Sequence, residues 1–370
     1  MTRLAALLLL VVVHPVAAAE LPDWALGPFT RPEGAQPVIT PAPASTFHCP
    51  LADADVRWEA LHTFNPAAVM KDGQVHVLYR AEDDSGEMSI GRHTSRLGLA
   101  VSDDGVNFVR RAEPVLFPAV DDQRQREWPG ECEDPRIATL PDGGYVATYT
   151  QWNQKRFQIG IARSDDLVQW HKLGSAFRGT AYENLRIKSA AVVHELQDGQ
   201  LVAAKIDGQY WMYFGEYEVN VATSDDLLQW TPVESEPGKL LALARPRRGR
   251  FDSALTEIGP QAVKTAAGIV LIYNGKNATG EGRDPALQSG VYSCGQLLLD
   301  AADPTRLVAR LDEPFLQPQL DWERTGQYGA GTTFAEGLVH HNGRWLLYYG
   351  CADSFVGVAM TESPSESPAN

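Results

Sequence analysis

Ile159-Gly160-Ile161-Ala162-Arg163-Ser164-Asp165-Asp166-Leu167-Val168-Gln169-Trp170 decides the fold, because its pattern occurs in three copies. The tripeptide Ser-Asp-Asp returns at Ser102, Ser164 and Ser224, spaced 62 and 60 residues apart. A bulky aromatic follows each copy at the same offset: Phe108, Trp170 and Trp230. An alternating apolar run precedes each one, over Leu97–Val101, Ile159–Ala162 and Val219–Ala222. Period two is the signature of a strand with one face buried. A fixed period of strands and turns marks a repeat architecture. The Ser-Asp-Asp copies themselves read as turn scaffold, with Asp side chains accepting backbone N–H groups.

Between these copies lies a second repeated feature. Residues 65–81, 133–150, 188–214, 258–274 and 332–350 each read as strand, turn, strand. Their turns are Asp72-Gly73, Asp142-Gly143, Asp198-Gly199, Ala267-Gly268 and Asn342-Gly343. Asp-Gly and Asn-Gly favour two-residue hairpins because both central residues need positive φ. The third copy is lengthened by a further hairpin at Asp207-Gly208. A fourth strand type also recurs, in Arg111–Pro118, Arg310–Pro318 and Arg31–Pro41, and its flanking prolines suit an outer edge. The pattern predicts an all-β fold: a five-bladed β-propeller of four-stranded blades spanning 20–362. The last unit has room for three strands only, so Pro37–Pro41 is expected to supply the fourth and close the ring.

Composition narrows the function classes. A net charge of −15 argues against nucleic acid and anionic membranes as partners. Residues 1–19 read as a signal peptide: Arg3, an apolar run Leu4–Val13, and Ala17-Ala18-Ala19 as a cleavage site. The run is too short to span a bilayer, so a secreted or periplasmic protein without membrane insertion is expected. The Ser-, Pro- and Glu-rich tail 363–370 reads as disordered. Four cysteines remain, Cys49, Cys132, Cys294 and Cys351, which allow three disulfide pairings. Cys132 reads as a small buried thiol or half-cystine rather than a nucleophile, since no His lies near it in sequence. No His or carboxylate cluster has metal-ligand spacing, so neither metal nor cofactor is expected.

A propeller brings the starts of its inner strands to one end of the axis. Those positions carry Asn65, Glu133 with Asp134, Arg186 with Lys188, Glu257, and Gly331. Arg80, Glu216 and Asp353 end the second strands of their units and are expected at the same place. Singly, each reads equally well as a solvated loop residue, and Arg80 as a cross-blade salt bridge. Together they make a polar pocket with several carboxylates and cations, suited to a polyhydroxylated ligand.

These residues sit in motifs that resemble a known family. Asn65-Pro66-Ala67-Ala68-Val69, Leu78-Tyr79-Arg80-Ala81, Ser95 to Gly105, Glu133-Asp134-Pro135-Arg136 and Tyr348 to Asp353 look like glycoside hydrolase family 130, over about residues 60–360. The resemblance implies action on β-mannosides with inversion, either by phosphorolysis or, in some exported members, by hydrolysis of β-1,2 bonds. It implies Asp134 as general acid, passing its proton through a hydroxyl of the bound mannose. It places Asn65, Arg80, Lys188 and Asp353, and with them Arg96, Glu133 and Arg136, in the substrate-binding set. Hydrolytic members look similar in carrying two glutamates, matched here by Glu216 and Glu257. Two features depart from the pattern or stand outside it: Cys132 beside the acid, and a formal glycosylation sequon at Asn277-Ala278-Thr279.

Acids repel a phosphate dianion and activate water, so Glu216 and Glu257 favour an exported inverting β-mannosidase acting on a mannose-containing oligosaccharide. The alternatives are a β-mannoside phosphorylase, with inorganic phosphate as co-substrate and mannose 1-phosphate as product, or a non-catalytic sugar-binding propeller. A five-bladed glycosidase of arabinose or fructose polymers needs a carboxylate where Asn65 stands. A homo-oligomer is compatible with the sequence, which carries no readable code for it.

Overall fold

The computed structural model describes residues 20–362; the expected signal peptide and C-terminal tail lie outside these residues. The fold is all-β and propeller-like, with only a short helix at Arg124–Glu127 and a 3-10 turn at Asp321–Glu323. Four strands, His62–Lys71, Gln74–Glu82, Ser95–Ser102 and Val109–Arg110, pair in sequence order as the first antiparallel sheet. Glu131–Thr139, Tyr145–Trp152, Phe157–Ser164 and His171–Ser175 form the second in the same way. The last sheet holds Thr333–His341, Arg344–Cys351 and Phe355–Met360.

The third and fourth units differ from the expected separate blades. They join in one 12-stranded sheet, because Val193–Glu195 pairs in parallel with Ala262–Lys264. The lengthened third hairpin accounts for part of this. Its strand Ala190–Gln197 pairs with Gln209–Phe214 near one end and with Gln200–Ala203 at the other.

Turn chemistry holds at four of the five Asp-Gly and Asn-Gly dipeptides expected to turn; at Asp142-Gly143 the positive φ falls on Gly143 and Gly144 instead, because Leu140 N donates to Gly144 O across a longer turn. Asp72-Gly73, Asp198-Gly199, Asp207-Gly208 and Asn342-Gly343 all have positive φ at both residues. The Ser-Asp-Asp turns repeat atom for atom: Ser164 Oγ accepts from the amides of Asp166 and Leu167, and Asp166 Oδ1 from those of Val168 and Gln169. Ser102 with Asp104, and Ser224 with Asp226, do the same. The indole N–H groups of Trp170 and Trp230 then close on the carbonyls of Leu167 and Leu227.

The Pro-bounded outer segments pair more sparsely than expected. Leu116, Leu316 and Ile39 each make one isolated antiparallel bridge, to Leu97, Cys294 and Val356 respectively. Proline lacks the N–H that a longer ladder needs. The third bridge attaches the N-terminal segment to the last sheet, with Val38 N donating to Val356 O and Val356 N to Ile39 O. The last sheet also meets the first. Tyr348 OH donates to Gly105 O, and a Cβ on Gly337 would lie 2.9 Å from the Ala68 Cβ, so only glycine allows that approach.

All four cysteines are free and buried, so none of the three pairings forms. Burial pushes the Cys132 thiol well above its ordinary range, as does Glu127 beside it, which leaves an inert thiol. The sequon is occupied by structure. Asn277 is fully buried, and its amide donates to the carbonyls of Asp284, Leu287 and Gln288.

Candidate active site

One structural device builds the site: a break in the pairing of the inner strand, or a residue of positive φ where that strand begins. In the first sheet the register shifts between Phe64 and Pro66, leaving Asn65 unpaired at φ 46°. In the second it shifts between Glu133 and Arg136, with Asp134 at φ 47°. Ser189 at φ 63° precedes the third inner strand, Gly259-Pro260 splits the fourth, and the register shifts at Glu336 in the last. A bulge bends the strand and re-aims a side chain that alternation would send elsewhere. In this way the chain aims Asn65 and Asp134 at each other, with Asn65 Nδ2 donating to Asp134 Oδ1 at 2.8 Å. A second constraint comes from the last sheet, where a Cβ on Gly350 would lie 2.3 Å from Asn65 Oδ1.

The result is a cavity of about 560 Å³. Eight of the ten expected site residues line it: Asn65, Arg80, Glu133, Asp134, Lys188, Glu216, Glu257 and Asp353. Arg96 and Arg136 do not. Arg96 is buried behind the wall on Asp83 Oδ2 at 2.7 Å. Arg136 lies beneath the site, paired with Glu336 at 3.0 Å. Its remaining donors go to backbone carbonyls of Asp134, Ile258 and Gly259, so it braces the acid strand against the strand that carries Glu257. Arg186 and Gly331 are not lining residues of this cavity either.

Charge is arranged unevenly across the cavity. Arg80 is buried and contacts four carboxylates, Glu82, Glu131, Glu133 and Asp134, at 2.6–3.2 Å. Its guanidinium carbon also stands 4.6 Å from the Phe64 ring centre. Lys188 Nζ lies 3.6 Å from Asp134 Oδ2 and 3.4 Å from Glu257 Oε1, so one ammonium ties the two carboxylates together, their oxygens no more than about 7 Å apart. Burial alone would raise the Asp134 carboxyl, but Lys188, Arg80, Arg136 and the Asn65 hydrogen bond outweigh it and hold it below the ordinary range. Burial would likewise lower Lys188, and Glu257 and Asp134 reverse the effect, so its ammonium stays charged.

Glu216 is the contrasting group. It is half-buried, and among the described residues it makes no ion pair or side-chain hydrogen bond. Burial raises its carboxyl, Lys188 lowers it, and Glu257, Asp134 and Glu133 raise it further. Glu257 is fixed instead, accepting from Ser189 Oγ at 2.7 Å. Asp353 is pushed up to about 7, by burial first, against Arg80 and with Glu82 and Asp134. A neutral Asp353 can donate a hydrogen bond to a ligand oxygen at neutral pH.

The cavity also has walls that the strand pattern did not point to. Phe64, Trp152, Phe157, Tyr292, Tyr328 and Phe334 supply aromatic faces, and residues 90–92 come from the loop after Glu82. Trp152 holds that loop through its indole N–H on Gly91 O. Aromatic faces with convergent polar groups suit a sugar. The aromatics come from strand ends and loops, where no repeat flags them. Among the described residues, no group of three His, Cys, Asp or Glu could hold a metal ion.

Known proteins show the family to which the chain belongs. A family model described as β-1,4-mannooligosaccharide phosphorylase, of glycoside hydrolase family 130, matches residues 36–364. A 1,2-β-oligomannan phosphorylase of Thermoanaerobacter sp. (strain X514) is 33% identical over 313 residues, covering 84% of this chain and 93% of the relative. A solved structure, described under glycoside hydrolases of the GH130 family that target β-1,2 mannosidic linkages in Candida mannan, is 50% identical. It superposes with a TM-score of 0.91, covering 95% of this chain and 99% of the other. A glycosyl hydrolase from Bacteroides ovatus is also 50% identical with a TM-score of 0.91, covering 95% of this chain and 98% of its own. The chain therefore belongs to glycoside hydrolase family 130, as an enzyme that acts on mannosides.

Proposed function

We propose that the protein is an exported, inverting β-mannosidase that hydrolyses β-1,2-linked mannooligosaccharides, built as a five-bladed propeller closed by the segment around Ile39. The observation that carries this reading is the state of the cavity's cations. Five carboxylates line it against three cations. Arg80 already serves four carboxylates, and Lys188 lies between Asp134 and Glu257. Arg92 lies at the half-exposed rim, 3.8 Å from Glu87. A phosphate dianion would meet engaged cations and unpaired acids, which repel it. Water needs the opposite arrangement, a carboxylate not tied up in an ion pair, and among the described residues Glu216 is such a group.

In the proposed reaction, Glu216 takes a proton from water as the water attacks the anomeric carbon. Glu257 and Lys188 hold the opposite face. The glycosidic C–O bond breaks, and the leaving oxygen receives a proton from a hydroxyl of the bound mannose, which Asp134 replaces. Asp134 is ionised in the empty cavity. Sugar hydroxyls entering between it and Lys188 weaken the ion pair and dry the site, which raises the carboxyl toward the range where it carries a proton. The solved relatives at 50% identity described as hydrolases support this reading over the phosphorylases at 33%. Steady-state turnover of β-1,2-mannobiose with and without inorganic phosphate tests it: the rate is expected to be indifferent to phosphate, and a rate that requires phosphate overturns hydrolysis.

A further inference from the structure

Beside the active-site cavity lies a second one of about 340 Å³ with the opposite electrostatic character. Three arginines line it, Arg126, Arg156 and Arg186, against one carboxylate, Asp122. In a chain of net charge −15 such a concentration is unusual. Two of the three guanidinium groups are also uncommitted. Arg126 donates to Gln158 Oε1 at 2.7 Å and lies 3.8 Å from Glu183. Arg156 and Arg186 make no ion pair or side-chain hydrogen bond among the described residues. Arg186 instead rests on the Phe157 ring, its guanidinium carbon 5.5 Å from the centre.

The two cavities share a wall. Phe157 lines both, and the Asn153–Phe157 turn gives Gln154 to the first and Asn153 and Arg156 to the second. Arg186 precedes the catalytic-cavity residue Lys188 by two positions, at most about 7 Å along the chain. Asp134 is buried and lines the first cavity, so an oligosaccharide whose non-reducing mannose sits against it extends away from it on the leaving-group side. A ligand leaning over Phe157 reaches the arginines.

We propose that the Arg126–Arg156–Arg186 cavity binds an anionic substituent of the phosphate-ester type carried on the leaving-group side of the oligosaccharide. This rests on the mannoside reading above and adds a charged substrate class to it. Guanidinium forks match phosphate oxygens bidentately, and a planar fork stacked on an aromatic ring is already oriented for that contact. Such a site selects between neutral and charged chains without taking part in the chemistry.

Titration calorimetry on Asp134→Asn protein, whose slowed turnover is expected to leave the sugars intact over a titration, tests the proposal with three probes: neutral β-1,2-mannotriose, the same trisaccharide phosphorylated at O6 of its reducing-end mannose, and inorganic phosphate. The phosphorylated sugar is expected to bind about ten-fold or more tightly than the neutral one at low salt. Adding Arg156→Gln and Arg186→Gln should remove that gap, as should high salt, since both side chains are exposed. Arg156→Gln alone should leave affinity for the neutral sugar unchanged, which shows that the variant is folded. Equal affinity for the two sugars, or a gap that survives the double substitution, overturns the proposal. Inorganic phosphate that matches the phosphorylated sugar overturns it too, because the site then takes a free anion. Failure of wild-type protein to turn over the neutral sugar is a separate result that bears on the mannosidase reading alone.

Discussion

Two repeated devices in this molecule serve different ends. The Ser-Asp-Asp turns are copies: Ser102, Ser164 and Ser224 make the same bonds, and the position three residues on takes φ 78°, 71° and 67° as Gly105, Leu167 and Leu227. The inner-strand breaks are also repeated in position, but each carries a different residue: Asn65, Asp134, Ser189, Gly259 and Glu336. Repetition with fixed chemistry marks scaffold. Repetition with changing chemistry marks the place where one end of the propeller-like fold carries a site.

Substitutions can break that comparison, and the largest effect should come from the break in the second sheet. Asp134→Asn is expected to lower kcat by about 10²–10⁴ while leaving the melting temperature close to wild type, as read by product formation and calorimetry. A large loss of stability with intact activity would put Asp134 with the scaffold. Glu216→Gln comes next, at about 10²-fold in kcat with KM little changed, since the side chain has no structural partner to lose. Gly350→Ala sharpens the comparison from behind the site. The added methyl has no room beside Asn65, so a fall in kcat of about 10-fold is expected from displacement of Asn65 and, through it, Asp134.

Asp166→Ala should behave in the opposite way. It removes the side-chain acceptor of two backbone N–H groups in a turn and is expected to cost about 1–2 kcal/mol of stability with no change in kcat. The effect at Asp353 is on stability alone and depends on pH. Its carboxyl is raised from 3.8 to about 7 in the folded chain, so the folded state holds its proton where the unfolded state has lost it. Stability is therefore lost as pH rises from about 4 to 7. Asp353→Asn should raise the melting temperature at pH 8, with the gain fading towards pH 4; a gain that is flat with pH would contradict the raised carboxyl.

The contrast also explains what could be read in advance. The turns declared the fold because a tight turn tolerates few residue types, so Asp-Gly, Asn-Gly and Ser-Asp-Asp survive as text. The pocket residues Asn65, Asp134 and Glu257 were legible once the inner strands had been placed. The bulges are marked in the sequence too, as Asn65-Pro66, Asp134-Pro135 and Gly259-Pro260, since proline takes no part in the ladder where the register slips. Arg96 and Arg136 were expected against substrate because they stand in the same motifs as pocket residues. A strand alternates its side chains between faces, and a bulge shifts that count, so a motif neighbour can brace the backbone instead. The joining of the third and fourth units and the aromatic cavity wall depend on pairing and loop packing between distant segments, which no local pattern records.

The central claim is that the differentiated end of the ring hydrolyses a β-mannoside with inversion. Proton NMR of β-1,2-mannobiose during turnover, in buffer containing inorganic phosphate, tests it most directly. The account predicts α-mannose as the first-formed anomer from the non-reducing residue, with no sugar phosphate. Accumulation of α-mannose 1-phosphate, or β-mannose as the first anomer, would contradict it.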